Sequence, residues 1–281
     1  MLADDRSFVL ERKRGVPEHY ERPLLYPIGD FEGILMGDIV RVSDPHAAIE
    51  LDRMGCYGTV SGLRRVAVSR ICFPESRSRT VEVELNPDTQ PSTSSGTTNS
   101  KEFERDAPLA DRQLWIDQFP SSPTLTLSLE EALFLKFALN VLTVKDAQGN
   151  QLSLEEFWTE CRKRIGESFV IRYAAYHYYR SRGWVVRSGL SFGVDYLLYK
   201  DGPEYHHSSF GVRILTDGDQ IKSSHFGALN RVMSTVKKEL IHCSISVPVA
   251  SDFDVSTPNC VRSLHIKELR TRTWMSERNR D

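Results

Sequence analysis

Apolar and polar positions alternate along this chain in two rhythms, and the changes between them mark its elements. From Ile34 to Val60 the segment ILMGDIVRVSDPHAAIELDRMGCYGTV reads as strand, turn, helix and loop. Ile39, Val40 and Val42 are strand formers. Asp44 is placed to cap a helix whose first residue is Pro45. Ala48, Ile49, Leu51 and Met54 then give an apolar face, and Gly55 stands where the helix should end. Two further helices share a start. Ser128-Leu-Glu-Glu131 and Ser153-Leu-Glu-Glu156 both have the spacing of a capping box, in which the serine caps and the third residue on reaches back. The first continues through Leu133, Phe134, Phe137, Ala138 and Leu139; the second carries Phe157, Trp158 and Cys161. Asp146 to Asn150 (DAQGN) is a turn between them.

The second half has a different texture. Phe169 to Arg182 is helical, with Tyr173, Tyr176 and Tyr179 at helical spacing and Tyr178 beside them, and Gly183 ends it. Base stacking is one use for such a row; a half-buried packing face is the simpler one. Short strands follow at Trp184 to Val186, Val194 to Tyr199 and Ser208 to Leu215, broken by Ser188-Gly189 and by Asp201-Gly202-Pro203. A helix from Gly227 to Lys238 leads to a buried strand, Leu240 to Val247. A final strand, Ser263 to Leu269, precedes the basic tail RTRTWMSERNRD. The order α-β-β-β-α-β-β predicts a mixed sheet with helices packed on it. The fold class is α+β: an N-terminal mixed α/β domain over 1–166 and a second domain over 167–281.

Composition changes that picture at one place. Between Ser76 and about Arg112 the chain is rich in Ser, Thr, Pro, Asp and Glu. Such a stretch buries too little apolar surface to offset its ordering entropy, and it is read as a disordered insertion at 76–112. A short strand at Thr80 to Leu85, where Val and Glu alternate, is the other reading. With 281 residues and a formal charge of −2, any basic surface must be local, so bulk charge does not point to a nucleic acid. No apolar run approaches the roughly 18 to 20 residues that span a membrane. The opening MLADDRSFVLERKRG lacks the apolar core of a secretory signal. The five cysteines, Cys56, Cys72, Cys161, Cys243 and Cys260, form no CxxC pair. Their spacing favours reduced, mostly buried thiols over zinc or disulfides.

The candidate chemistry lies at strand ends. Tyr199 closes its strand, His206 and His207 open the next across a turn, and Lys238 directly precedes another. These are the groups that cleaving RNA by attack of the neighbouring 2′-hydroxyl requires. A base takes the hydroxyl proton, an acid protonates the departing 5′-oxygen, and a cation offsets charge on phosphorus. Histidine titrates near neutrality, and each proton-transfer group contributes roughly 10²- to 10⁴-fold. Lysine supplies a point charge to phosphate. Tyrosine, with an ordinary pKa of about 10, needs a nearby cation to serve as base. Taken singly each residue has a plainer use: a surface or core histidine, a helix-end lysine, a strand aromatic. Asp195 with Glu204 offers a two-metal alternative, though no third acid accompanies them.

The run YHYYRSRGWVVRSGLSFGVDYLLYKDGPEYHHSSF resembles the catalytic domain of the tRNA-splicing endonuclease family, and most nearly its eukaryotic subunit that cuts the 5′ splice site. The family pattern has a helix ending R-x-x-G-[WY], here Arg180 to Trp184. A strand G-x-x-[FY]-G-x-D-[FYL]-L-[LV]-Y follows, here Gly189 to Tyr199. Next come H-[AS]-x-[YF], here His207 to Phe210, and a lysine before a core strand, here Lys238. LSLEEALFLKFAL and GDIVRVSDPHAAIELDRMGCYG are similar to the family's earlier elements, so the likeness covers all but the insertion and the ends.

The resemblance implies a tRNA-endonuclease-like (restriction-endonuclease-like) second domain and a triad of Tyr199 as base, His207 as acid and Lys238 as phosphate clamp. It implies products with a 2′,3′-cyclic phosphate and a 5′-hydroxyl, and no metal or other cofactor. It places an intron base between Arg231 and Trp274, acting in a partner's site; an exposed arginine and an anchoring tryptophan are the plainer reading. It makes Asp195 structural. The expected partners are intron-containing pre-tRNA, a second catalytic subunit and two structural subunits, in the nucleus and with no membrane. The sister subunit that cuts the 3′ site shares the triad, and a non-catalytic scaffold subunit should lack it.

Overall fold

A computed structural model describes residues 12–13, 16, 19–20, 22–61, 123–216, 218–219, 221–248 and 253–271. The insertion at 76–112, the alternative strand within it, Cys72 and Trp274 lie outside the described residues. Two five-stranded sheets carry the fold, both mixed and both flanked by helices.

The first sheet begins with a hairpin. In β1 (Phe31–Met36) buried and exposed residues alternate strictly, as a strand with one face on the core requires. Gly37, at φ +59°, makes the two-residue turn into β2 (Ile39–Val42). Asp44 then caps α1 (Pro45–Arg53), its carboxylate accepting from the backbone N–H of His46 and of Ala47 at 3.2 Å each. Ala47, Ala48 and Leu51 turn inward, whereas Ile49 and Met54, expected on the same face, are only half-buried. β3 (Thr59–Ser61), β4 (Thr124–Ser128) and β5 (Leu142–Lys145) complete the order β3-β4-β2-β1-β5, with β5 parallel to β1.

Both capping boxes form. The first opens α2 (Leu129–Leu133), which does not run on as an α-helix. It widens into a π-helical turn, Phe134–Ala138, and the chain reverses at Asn140 (φ +54°) to enter β5. The second opens α3 (Leu154–Ile165), and α4 (Ser168–Ser181) follows it.

Helix α4 is where the two sheets meet. Tyr173, Tyr176 and Tyr179 are buried, so the tyrosine row is a packing face. One continuous apolar core runs from Phe31, Val40 and Leu127 through those tyrosines to Tyr196, Phe210 and Ile241. The second sheet has the order β10-β9-β8-β7-β6. Its strands are β6 (Val185–Ser188), β7 (Tyr196–Tyr199), β8 (Phe210–Thr216), β9 (Glu239–Ser246) and β10 (His265–Thr271). β8 and β9 are parallel, and such a pair needs a crossover, supplied by α5 (Ser223–Thr235). The expected order of elements is therefore observed, with shifted edges. α5 starts earlier than Gly227 and stops at Thr235, because Lys237 turns the chain at φ +54°. That turn places Lys238 outside the helix, at the head of β9.

Candidate active site

The register of the second sheet decides which strand ends meet. β7 and β8 run antiparallel with Leu198 opposite Phe210, and β8 and β9 run parallel with Phe210 opposite Glu239. The C-terminal end of β7 and the N-terminal ends of β8 and β9 therefore share one edge of the sheet. Tyr199, His207 and Lys238 all lie at that edge. Backbone bonds stitch it together: Ser209 N–H donates to the Leu198 carbonyl at 3.0 Å, and Glu239 N–H to the Ser209 carbonyl at 3.1 Å. The Lys238 ammonium donates to the Ser208 carbonyl at 3.2 Å. The lysine is thus bonded to the residue next to His207.

Each candidate has a distinct setting. Tyr199 is half-buried against the small cluster of Val194, Leu197, Leu229, Met233 and Leu240 beneath α5. His207 is exposed. His206 is buried, 5 % exposed, with Nδ1 3.0 Å from the Lys200 carbonyl, and burial lowers its pKa below the ordinary histidine value. Of the two adjacent histidines, only His207 faces solvent. Lys238 is half-buried, and its Nζ stands 5.9 Å from the centre of the Phe192 ring. A salt bridge between Arg270 and Glu239 ties β10 to the same edge, and the Arg270 guanidinium lies 5.0 Å from the Phe210 ring centre. Tyr199 also lines a cleft of about 580 Å³ between the sheets, whose charged walls include Glu130, Arg172, Arg187 and Asp195.

The other predicted residues lie apart from this edge. Arg231 is exposed on α5, its carbonyl accepting from the Thr235 hydroxyl at 2.9 Å. Asp195 uses its carboxylate within the fold: Oδ2 accepts from Ile214 N–H at 2.8 Å and meets Arg213 at 3.2 Å. Among the described residues no group of three or more His, Cys, Asp or Glu side chains is placed to hold a metal ion. The thiols of Cys56, Cys161, Cys243 and Cys260 are free and buried, and burial pushes Cys56 up to about 12 and Cys243 up to about 11. No helix among the described residues is long and apolar enough to cross a membrane.

Arg180 and Arg187 act at a place that reading along the chain does not show. Arg180 opens the R-x-x-G-W pattern and is fully buried. Its guanidinium donates to the Gly55 carbonyl at 2.7 Å and to the Tyr176 hydroxyl at 2.9 Å, and lies 4.1 Å from the Tyr57 ring centre. Arg187 donates to the Cys56 carbonyl at 2.8 Å and to that of Gly58. Arg180 pins the loop after α1 to helix α4, and Arg187 pins it to the second sheet. Apart from Tyr176, the partners lie more than a hundred residues away, which is why local pattern could not reveal them.

The fold places Tyr199, His207 and Lys238 at one edge of a mixed sheet, and sequence comparison adds the family. Residues 169–249 match the family model for the tRNA intron endonuclease catalytic C-terminal domain. The chain is similar to the tRNA-splicing endonuclease subunit Sen2 of Rattus norvegicus, with 36% identity over 165 residues, covering 56% of this chain and 35% of the relative. Subunit SEN2 of Saccharomyces cerevisiae is 34% identical over 164 residues, 56% of this chain and 43% of its own length. Subunit Sen2-1 of Arabidopsis thaliana is 30% identical over 160 residues, 56% of this chain and 67% of its own. The chain belongs to the tRNA-splicing endonuclease family. It spans about a third of the length of the vertebrate relatives it matches.

Proposed function

We propose that this chain is the catalytic subunit of a tRNA-splicing endonuclease that cuts intron-containing pre-tRNA at the 5′ splice site. Tyr199, as the phenolate, takes the proton of the 2′-hydroxyl. The 2′-oxygen attacks phosphorus, the bond to the 5′-oxygen breaks, and the protonated imidazole of His207 supplies the leaving oxygen's proton. The products are a 2′,3′-cyclic phosphate and a 5′-hydroxyl. Lys238 offsets charge on the non-bridging oxygens, where a positioned cation acts most strongly as the phosphorane forms. The reaction needs no metal, so cleavage persists in EDTA. The observation that carries this reading is the shared edge of β7, β8 and β9, closed by the bond from Lys238 to the Ser208 carbonyl.

The chain works in the nucleus in a four-subunit assembly with a second catalytic subunit and two structural subunits. Substrate is recognised mainly by shape, with unstacked intron bases presented to the site. Arg231 and Trp274 hold one such base at the partner catalytic subunit's site. This reading accommodates a near-neutral chain, since phosphate binding is shared across the assembly.

The test is the cleavage pattern of a reconstituted complex carrying His207→Ala. We expect the 5′ cut to fall by at least about 10²-fold while the 3′ cut stays. Retention of both cuts would remove the catalytic claim, and selective loss of the 3′ cut would reassign the chain to the sister role.

A further inference from the structure

The loop from Lys200 to His206 joins two of the proposed catalytic residues, and it is gripped from outside its own sheet. Asp201 sits at φ +59° with only 6 % of its surface exposed. The Tyr20 hydroxyl donates to its Oδ2 at 2.7 Å. The Tyr20 ring stacks on Tyr205, with centroids 4.8 Å apart and planes 24° apart, and its oxygen lies 3.5 Å from His206 Nδ1. Nearby, Lys13 N–H donates to the Tyr205 carbonyl at 3.0 Å, and Arg12 forms an antiparallel bridge with His206. Burial first, then the Asp201 carboxylate, raises the ionisation of Tyr20 far above the ordinary phenol value, so at working pH it is a hydrogen-bond donor and no base.

We infer that Arg12, Lys13 and Tyr20 form an N-terminal strap that sets the position of His207, and that Tyr20 is a positioning residue acting through Asp201 and His206. The inference rests on the catalytic reading of His207. His207 itself is exposed, so packing does not fix it; what fixes it is the backbone on either side. On the C-terminal side the Ser208 and Ser209 carbonyls are held by Lys238 and Glu239. On the N-terminal side, beyond the loop's own bonds, the grip comes from the strap. Without Tyr20 the buried Asp201 carboxylate loses a charge-assisted bond, and the loop gains freedom where a shift of about 1 Å can cost on the order of 10²-fold in rate.

The test uses the reconstituted complex with the whole chain, carrying Tyr20→Phe, Asp201→Asn or both. Tyr20→Phe removes one oxygen and keeps the stack on Tyr205; Asn tolerates the positive φ of position 201. We expect the single-turnover 5′ cleavage rate at saturating complex to fall roughly 10- to 100-fold, with pre-tRNA affinity changed less than about twofold. The double variant should be no slower than the slower single, as coupled partners require. In a His207→Ala background, Tyr20→Phe should leave the residual rate unchanged, which a general loss of stability would not do. If both single variants cleave within about twofold of wild type while His207→Ala is impaired, the strap does not position the site and the inference fails alone. If His207→Ala cleaves fully, the catalytic reading and the strap fall together.

Discussion

Glu131 divides two tasks between its two carboxylate oxygens. Oε2 accepts from Ser128 N–H at 2.9 Å and closes the capping box, while Oε1 accepts from the buried Gly58 N–H at 3.0 Å across the first sheet. The two tasks predict unequal losses. Ser128→Ala removes one cap bond and should cost about 1 kcal/mol. Glu131→Ala also strands the Gly58 amide and should cost about 2 to 3 kcal/mol. Urea denaturation of the two variants measures both, and equal losses would mean that the Gly58 bond contributes nothing. Half of this residue's role is legible in the sequence, since a capping box is a four-residue pattern. The bond to Gly58 was not, because it spans 73 positions. The same holds for Arg180, which opens a local pattern while its pairing with Gly55 and Tyr57 is not visible in the sequence.

At the scale of elements, long periodic segments and marked termini were readable, and short strands were not. β4 and β5 carry little local signal although Leu125 and Leu127, and Leu142 and Val144, alternate with polar residues and are buried. Strands of four or five residues offer little pattern, and these pair with distant strands, β4 with β2 and β3 and β5 with β1. Helix α2 is shorter than its apolar pattern predicts, because an apolar sequence continues through a π-helical turn without a break in hydrophobicity. The β3–β4 pair suggests a sharp contrast. Gly58 lies at φ +64°, and a Cβ there would stand 2.6 Å from the Thr126 carbonyl oxygen. Gly149, at φ +90°, has nothing within 4 Å. Gly58→Ala should therefore destabilise by about 2 kcal/mol or more and raise amide exchange in residues 59–61, whereas Gly149→Ala should cost only about 1 kcal/mol from its backbone conformation. Equal effects would show that the close approach to β4 relaxes freely.

Among the described residues one large core joins the two sheets, with a smaller cluster beneath α5, and buried and half-buried histidines make stability depend on pH. Burial lowers the pKa of His177, His206 and His242 below the ordinary 6.5, helped by Arg262 near His177 and Arg213 near His242. Lys200 and Arg12 act in the same direction on His206, while its bond to the Lys200 carbonyl and the Asp201 charge oppose them. His242 is the clearest case: it is 3 % exposed, stacks on Phe226 at 5.2 Å, and neither ring nitrogen has a hydrogen-bond partner. The unfolded chain takes up these protons first as pH falls. Stability should thus be complete above about pH 6.5 and decline below it until the folded forms also protonate. Urea midpoints at pH 7.5 and 5.5 test this, and His242→Phe should flatten part of the difference; an unchanged slope would place the effect on the other two.

The sequence by itself determined what depends on neighbours within a few residues: the caps at Asp44, Ser128 and Ser153, the tyrosine face of α4, the order of elements in the second half, and the identity of Tyr199, His207 and Lys238 as candidates. Only the tertiary structure decided that these three share an edge, because strand register sets it and Lys238 stands 31 positions after His207. It also decided that the tyrosine row is core, that Arg180 and Arg187 join the loop after α1 to helix α4 and to the second sheet, and that Tyr20 holds the loop before His207. The division has one physical cause. Propensity and capping are local energies, while burial, register and the satisfaction of buried polar groups depend on which distant segments come together.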